Sequence, residues 1–269
     1  MKNTTTEATL YTSTEAARIL GASRTSIKRW ADEGLLKCVK TAGKHRRFRP
    51  EDLERFQRER MGGAPLELDV PAWLGDLVAG KSNRVMSRLY AARAGVASWA
   101  AVGDLLGAVL AGLGQAWRRG DISVAQEHLA SRRLASDLEC LTQTIPLRDT
   151  APRAILLTPA QEAHTLGLSL VSLALRERGW RSIWIGARTP LDGLGAVIDE
   201  LNAELVAVSA SLAASDEVLL AAQAVRLGIV CEPRRVSLLL GGSGAWPDAP
   251  SYGFRLKTLG QLAEILPLG

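Results

Sequence analysis

Short apolar runs alternate with longer amphipathic segments from Pro152 onward, and this alternation restricts the fold more than any other feature. Runs such as 205–208 and 236–240 are apolar at nearly every residue, as in strands of a parallel sheet covered on both faces. The segments between them predict crossover helices, so the region predicts a doubly wound parallel sheet. The predicted strands are 153–158, 181–186, 204–210, 235–240 and 254–257, and the predicted helices are 165–178, 190–202, 214–227 and 258–266.

A histidine lies in the loop after the first predicted strand, within Glu162-Ala-His-Thr-Leu-Gly167. Ligands of open α/β sheets bind at the carboxyl ends of the strands. The glycine pattern of a dinucleotide site does not follow this strand. An imidazole is a good transition-metal ligand, and a carboxylate two residues away can orient the ring and raise its basicity. The loop therefore indicates a metal-containing ligand held by His164, the ordinary alternative being a solvent-facing histidine.

The basic charge of the chain is concentrated at its N-terminal end. Residues 1–60 contain 14 Lys and Arg against 8 Asp and Glu, whereas the whole chain has a net charge of +5. Residues 61–269 are therefore close to neutral. A basic module attached to a neutral body is the pattern expected of a nucleic-acid-binding domain.

Residues 12–33 predict two short helices. Thr12 to Glu15 is a typical helix start, 21–23 is a break, and the second helix runs from Arg24 to Glu33. Two extended segments around Gly43 then predict a small hairpin, or wing, followed by a third helix from Pro50. The residues expected to face DNA are Arg24, Thr25, Lys28 and Arg29 on the second helix and Lys44, His45, Arg46 and Arg47 on the wing. The alternative is a solvated basic surface.

This region resembles the winged helix-turn-helix of MerR-family regulators and excisionases. The resemblance covers residues 10–57 and rests on Tyr-Thr-x-x-Glu-Ala-Ala-x-x-Leu-Gly-x-Ser, a later Trp, and Gly-Lys-His-Arg-Arg-Phe. It implies a double-stranded DNA operator as partner. We expect the DNA-binding domain to span 1–60 and a linker to span 61–70.

Residues 71–148 have helical periodicity and predict a four-helix bundle, with helices at about 71–79, 82–93, 96–118 and 123–145. Gly120 ends one helix, and Ser123 to Gln126 matches a capping box that opens the next. Trp117 then lies at one helix end, with Val124, Glu127 and His128 in the first turns of its neighbour. Taken alone, these residues would more often be a core tryptophan and a solvated helix start.

The pattern Trp-x-x-Gly-x-Ile-Ser-x-Ala-x-Glu-His resembles the cap of cobalamin-binding regulators of the CarH and LitR type. The sheet region adds a similar signature, since Gly167 is followed by 41 residues and then Ser209-Ala-Ser211, and Gly241-Gly-Ser-Gly244 comes later. Three positions depart from the family. Glu162 replaces the usual Asp, Ser211 takes the usual Leu place, and Arg118 replaces a histidine that follows the cap Trp.

The resemblance implies a role for each site residue. His164 would bind cobalt from below with Glu162 orienting it, and Trp117 and Val124 would cover the upper corrin face. Glu127 and His128 would contact the upper ligand or its sugar. The remaining residues would let the backbone approach the bulky ring and would hold its displaced nucleotide tail: Gly167, Ser209, Ser211, Gly241 and Gly242. They belong to an expected cobalamin-binding domain of residues 152–269.

The sequence as a whole predicts a multidomain α plus α/β protein that represses transcription in response to cobalamin, with adenosylcobalamin the favoured form. Ligand state would control assembly into a dimer or tetramer, and light is a further possible signal. The chain is expected to be cytoplasmic and non-enzymatic, because no apolar run reaches the roughly 18 residues of a membrane span and the domains leave no catalytic unit. Three alternatives stay open: a sensor of haem or a bilin, a regulator without ligand, and a corrinoid subunit of a methyltransferase or mutase.

Overall fold

The computed structural model describes residues 10–266 apart from positions 21–23, 42, 44, 51, 54, 57–67 and 97. The chain divides into two compact units. The first takes residues 1–67 and 87–97, and the second takes 68–86 and 98–269. The predicted linker falls almost entirely outside the described residues, as does the expected helix cap Ser23.

The first unit contains the two predicted helices and a small antiparallel sheet. Its elements are β1 (Tyr11–Thr12), α1 (Ser13–Ile19), α2 (Arg24–Asp32), β2 (Val39–Lys40) and β3 (Arg46–Phe48), with further helical residues between 50 and 56. The strand order is β1-β3-β2, which places β3 in the centre. The core is apolar and includes Leu20, Ile27, Phe48 and Leu53. The hairpin of β2 and β3 lies where the wing was predicted.

Four helices follow at the predicted positions: α3 (Val70–Val78), α4 (Ser82–Gly95), α5 (Trp99–Arg119) and α6 (Val124–Thr144). In the second unit, α3, α5 and α6 pack against one another. Helix α4 begins in that unit, but its residues from Ser87 onward belong to the first unit. The four helices are therefore as predicted, while their association into one bundle stays a prediction.

Helix α5 is the described helix that is long and apolar enough to cross a membrane by length and composition. In the structure, Val102, Leu106, Val109 and Leu113 form its buried face. That face packs against the neighbouring helix α7 (Leu166–Glu177) as well as α3. The apolar composition of α5 is thus accounted for by packing inside the protein, as in the core helix of a globular domain.

The rest of the second unit alternates strands and helices as predicted. After β4 (Arg153–Pro159) and α7 come β5 (Arg181–Thr189), α8 (Leu194–Leu201), β6 (Leu205–Ser209), α9 (Glu217–Cys231), β7 (Ser237–Gly241), β8 (Phe254–Arg255) and α10 (Leu262–Ile265). The strands form one parallel sheet in the order β5-β4-β6-β7-β8. Separate apolar clusters cover its two faces, which confirms the doubly wound parallel sheet.

Arginine side chains bind the C-terminal carbonyl groups of five helices. A helix end leaves carbonyls without partners and carries partial negative charge, so a guanidinium stabilises it. In each case the arginine comes from a different element, so these contacts also fix how the elements pack within their unit. The pairs are Arg93 with Ile19, Arg133 with Leu77 and Val78, Arg153 with Leu201, Arg176 with Ile145, and Arg178 with Leu266 and Ala263.

Candidate functional site

The site lies where β4 and β6 adjoin in the sheet. The chain leaves β4 into α7, which packs on one face, and leaves β6 into α9, which packs on the other. The two connections separate at the carboxyl ends of these strands, which is the position where such sheets usually bind ligands. Glu162 and His164 follow β4, and Ser211 follows β6.

Glu162 is the centre of the site. Its side chain is 2% exposed. One carboxylate oxygen accepts hydrogen bonds from the backbone N–H of His164 at 2.8 Å and contacts its Nδ1 at 2.6 Å. The other accepts from the backbone N–H of Ser211 at 2.7 Å and from its hydroxyl at 2.6 Å. Burial raises the pKa of Glu162, but the hydrogen bonds from Ser211 and His164 together lower that pKa below 4.5. Glu162 is therefore an ionised acceptor.

His164 points its second ring nitrogen away from this carboxylate. Because an ionised carboxylate only accepts hydrogen bonds, Nδ1 of His164 carries the hydrogen. In the neutral ring Nε2 then keeps a free lone pair, as a metal ligand requires. The imidazole is 58% exposed, so this lone pair is accessible. The sequence predicted that Glu162 orients the imidazole ring of His164. The hydrogen bonds from Ser211 hold the other oxygen of the same carboxylate.

A single imidazole suits a metal that brings its other ligands with it. Within the part of the chain that the structure describes, no group of three or more His, Cys, Asp or Glu side chains could hold a metal ion. A bare metal ion bound by His164 alone would lack the further protein ligands that a metal site needs. A metal in a macrocycle needs only one axial ligand from the protein, which is what His164 offers.

Gly167, in the first turn of α7, lies in close contact with Ser209. A Cβ atom at Gly167 would lie 2.6 Å from the Ser209 hydroxyl oxygen, so a larger residue does not fit without a shift. Ser209 is buried. The sequence suggested that Gly167 admits a bulky ligand and that Ser209 binds its tail. The structure adds a second reason for a glycine at position 167, because the absence of a Cβ lets α7 approach the end of β6.

The glycines after β7 make a similarly close approach to Ala210. Gly242 has a φ of +85°, and a Cβ there would lie 2.1 Å from the Ala210 carbonyl oxygen. Gly244 donates its N–H to the same carbonyl at 2.9 Å, and Ala210 donates to the Gly241 carbonyl at 3.1 Å. The expected space for a ligand tail therefore borders a tightly packed loop.

Sequence reasoning missed two residues that hold this loop. Arg255 on β8 donates to the carbonyls of Gly242 at 2.8 Å and Leu240 at 3.2 Å. Trp246 donates its indole N–H to the Gly241 carbonyl at 3.0 Å. A tryptophan four residues after the Gly241-Gly242 pair was the available sequence signal for Trp246. The Arg255 contacts depend on strand order, which the sequence did not predict.

The turn between α5 and α6 has the predicted geometry. Gly120 ends α5 with a φ of +78°, and Ser123 and Gln126 form a reciprocal capping box. Trp117 is 46% exposed and Val124 is exposed beside the turn. Because Trp117 is this exposed, the alternative that it is a core residue is wrong.

Glu127 and His128 form a local polar cluster at the start of α6. His128 Nδ1 lies 2.6 Å from one oxygen of Glu127, and the Ser131 hydroxyl donates to the other at 2.7 Å. The His128 ring and Arg118 are exposed. Among the described residues, no hydrogen bond joins this turn to His164, so its role above a ligand stays a prediction.

The predicted DNA-facing residues of α2 are exposed. Arg24, Thr25, Lys28 and Arg29 are accessible, while Ile27 of the same helix is buried in the core. The basic side chains therefore lie on the free face of this helix. This arrangement suits contact with a phosphate backbone or a groove.

The residues of the predicted wing differ in their exposure and contacts. His45 is exposed, Arg47 is half-buried, and Lys44 falls outside the described residues. Arg46 was expected to reach toward DNA, but here it forms an ion pair with Asp32 at the end of α2. That pair ties the central strand to α2, so Arg46 has a positioning contact whether or not it also meets DNA.

Comparison with known proteins supports both units. A helix-turn-helix domain family matches residues 10–61, and a B12 binding domain family matches residues 74–141. The chain therefore joins a segment similar to helix-turn-helix domains to a segment similar to B12 binding domains. This is the composition of a cobalamin-binding helix-turn-helix regulator, which confirms the resemblance found in the sequence.

Two relatives come from Myxococcus xanthus. The HTH-type transcriptional repressor CarH is 29% identical over 198 residues, which are 71% of this chain and 64% of that protein. The HTH-type transcriptional repressor CarA is 32% identical over 88 residues, which are 33% of this chain and 31% of that protein. The chain thus spans less than two thirds of either relative.

The fold also resembles a solved corrinoid protein. The monomethylamine corrinoid protein of Methanosarcina barkeri has a TM-score of 0.54 and 16% identity, over 72% of this chain and 94% of that chain. At this identity, the likeness establishes the fold alone. It is the parallel sheet with its helices that the two proteins share.

Proposed function

We propose that this chain is a cobalamin-responsive, DNA-binding repressor of transcription that acts in the cytoplasm. The observation that carries the proposal is His164, which Glu162 and Ser211 hold at the carboxyl ends of β4 and β6 with Nε2 free. A regulator needs a ligand site and a DNA-binding surface in one chain. The B12-binding match over residues 74–141 and the exposed basic face of α2 support this proposal.

Bound cobalamin would supply a cobalt ion already held by a corrin ring and able to accept a ligand from the protein. We propose that His164 binds that cobalt from below and that Glu162 keeps the proton on Nδ1. Trp117 and Val124 would cover the upper face, where their exposed apolar surface would be removed from water. Glu127 and His128 would meet the upper ligand, for which adenosyl is favoured. The residues proposed around the nucleotide tail are Gly167, Ser209, Ser211, Gly241 and Gly242.

The first unit is proposed to bind DNA as a winged helix-turn-helix of the MerR type. Arg24, Thr25, Lys28 and Arg29 would lie against the major groove, with Lys44, His45, Arg46 and Arg47 on the wing. A single small module binds DNA weakly at physiological salt. Joining modules in a dimer or tetramer raises the apparent affinity, so ligand-dependent assembly would control operator binding.

Arg118 bears on light as a signal. A guanidinium stays protonated and does not coordinate metal. We therefore propose that the residue after Trp117 does not capture cobalt if the upper ligand is lost. A light response, if present, would have to use another group, and His128 is the nearest cap histidine in sequence.

Electron paramagnetic resonance tests the cobalt ligand directly. Protein labelled with ¹⁵N-histidine is mixed with cob(II)alamin, and an axial histidine nitrogen is expected to give a two-line rather than three-line nitrogen splitting. His164→Ala should abolish that pattern while His128→Ala should keep it. A three-line pattern in labelled wild-type protein would refute His164 as ligand.

A second candidate is a corrinoid subunit of a methyltransferase, which the fold likeness to the methylamine corrinoid protein favours. The two functions predict different behaviour. The regulator should bind a DNA fragment with an affinity that changes when adenosylcobalamin is added, which a gel shift measures. Gel filtration in the dark and after green light shows whether its assembly changes as well. Haem or biliverdin in place of cobalamin tests the other tetrapyrrole ligands.

A further inference from the structure

A buried hydroxyl lies behind the loop that carries Glu162 and His164. Thr158 is the second-last residue of β4 and is completely buried. Its hydroxyl donates to the backbone carbonyl of Glu162 and accepts from the backbone N–H of Arg188 at 3.0 Å. One side chain therefore joins the end of β4, the loop that follows it and the end of β5.

The backbone of Glu162 is held on both sides of its Cα atom. Its N–H donates to the Pro159 carbonyl at 2.8 Å. Its carbonyl accepts from the Arg188 N–H at 3.1 Å as well as from the Thr158 hydroxyl. Because these bonds fix the peptide groups before and after Glu162, they also limit where its carboxylate can lie.

Arg188 has a backbone conformation that favours glycine. Its φ is +53°. A side chain persists in this left-handed region only where its surroundings hold it, and such residues cluster at ligand sites. The N–H of Arg188 is shared between the Thr158 oxygen and the Glu162 carbonyl. The end of β5 is therefore strained at the point where it contacts the loop of the site.

We propose that Thr158 is a positioning residue for His164. By fixing the Glu162 backbone, its hydroxyl keeps the carboxylate 2.6 Å from Nδ1 of His164 and so leaves the Nε2 lone pair for a metal. This inference rests on the proposed function insofar as the metal is the cobalt of cobalamin. The contacts of Thr158, Glu162 and His164 with one another do not depend on which ligand binds.

The variant Thr158→Val replaces the hydroxyl with a methyl group. An O–H···O bond spans about 2.7 Å, whereas a carbon atom stays about 3.3 Å from a carbonyl oxygen. The Glu162 carbonyl should therefore move by about 0.6 Å, which exceeds the roughly 0.5 Å within which a binding group has to be held. Loss of one neutral hydrogen bond should also favour other positions of the carboxylate by about fivefold.

Nuclear magnetic resonance of the full chain without cobalamin tests the positioning. The chain has three histidines, and ¹⁵N-histidine labelling gives each ring nitrogen a chemical shift that reports its tautomer. The spectra are recorded at about pH 8, above the range in which an ordinary imidazole gains a proton. Wild-type His164 should be mainly the Nδ1–H tautomer, and Thr158→Val should lower the ratio of Nδ1–H to Nε2–H by about fivefold. The signals of His45 and His128, which belong to other parts of the chain, should not change and show that the variant is folded.

Two further variants separate positioning from a general loss of packing. Thr158→Ser keeps the hydroxyl and should restore the wild-type tautomer ratio. Thr142→Val removes a buried hydroxyl of the same unit, which donates to the Leu138 carbonyl at 2.8 Å, and should leave His164 unchanged. Four results would each overturn the proposal: a wild-type His164 in the Nε2–H form, an unchanged ratio in Thr158→Val, a serine variant that behaves like the valine variant, or an equal change in Thr142→Val.

A cobalamin titration of the same variants connects the positioning to the proposed function. Thr158→Val should raise the dissociation constant about fivefold, whereas Thr158→Ser should restore it and Thr142→Val should not change it. An unchanged constant beside a changed tautomer ratio would overturn the role of Thr158 in ligand binding. If wild type bound no cobalamin while the tautomer ratio changed as expected, the proposed function would fail and the positioning of His164 by Thr158 would stand.

Discussion

Replacing Glu162 with Gln tests the reasoning about His164 most directly. The carboxylate accepts hydrogen bonds from Ser211 on one oxygen and from His164 on the other. If the amide oxygen of the substituted side chain stays with Ser211, its NH₂ group faces the backbone N–H and Nδ1 of His164. The ring can then avoid a donor–donor clash only by moving its hydrogen to Nε2. In that tautomer Nε2 carries the hydrogen and has no lone pair for a metal, while the lone pair of Nδ1 faces the amide.

The size of the effect follows from the bonds involved. A hydrogen bond to a charged group contributes about 1.5–3 kcal/mol and a neutral one about 1 kcal/mol. Weakening two bonds at Ser211 and leaving the His164 backbone N–H unpaired should lower the free energy of unfolding by about 3 kcal/mol. Loss of an orienting partner typically lowers metal affinity by about 10- to 100-fold, so the dissociation constant for cobalamin should rise by that factor.

The assays are urea unfolding and a cobalamin titration followed by absorbance at pH 7. Glu162→Asp is the matched control, because a shorter carboxylate keeps the proton on Nδ1 and should bind within about tenfold of wild type. If Glu162→Gln bound cobalamin within about threefold of wild type, the tautomer argument would be refuted.

The same substitution predicts a pH dependence. The pKa of Glu162 is lowered in the folded protein, so its stabilising contribution is fully present above the unfolded value near 4.5. The contribution is lost as the pH falls through the lower folded-state value, where wild type also protonates the carboxylate. The difference in unfolding free energy between wild type and Glu162→Gln should therefore be constant near neutrality and shrink below about pH 4. A difference that grew on acidification would contradict this.

Three other predictions concern packing and DNA. Gly167→Ala should lower the unfolding free energy by about 1–3 kcal/mol, because its Cβ meets the Ser209 hydroxyl; adding Ser209→Ala should recover part of the loss in a double-mutant cycle. Arg93→Met should destabilise the first unit by about 1–2 kcal/mol, because the hydrogen bond to the Ile19 carbonyl is lost. Hydrogen exchange of α1 measures this loss, and Arg88→Met in the same helix is the comparison variant. Lys28→Ala should weaken DNA binding and reduce the slope of log affinity against log salt by about 1; an unchanged salt titration would remove α2 from the interface.

Local sequence signals predicted most helix and strand positions. The start of α6 was predictable because Ser123 and Gln126 satisfy each other across one turn, and this contact involves neighbours in sequence. The start of α8 was predicted about four residues early, at 190. Gly193 has a φ of +82°, so the helix begins only after it.

Contacts between distant residues were less predictable. Glu162 and Ser211 were each identified as site residues, but not as partners, because they are 49 positions apart. Their contact exists because β4 and β6 are neighbours in the sheet. The same limit applies to Arg46, whose charge suggested DNA but whose nearest described partner is Asp32.

Glu162 thereby connects two requirements of a ligand-controlled protein. Its contacts to Ser211 hold the connection after β6 against the connection after β4, and its contact to Nδ1 prepares His164 as a ligand. A ligand that draws on Nε2 acts on the same carboxylate that fixes Ser211. Five residues after Ser211, Asp216 caps α9 by accepting from the Leu219 N–H at 2.9 Å. The carboxylate that orients His164 therefore also holds the segment that leads into α9.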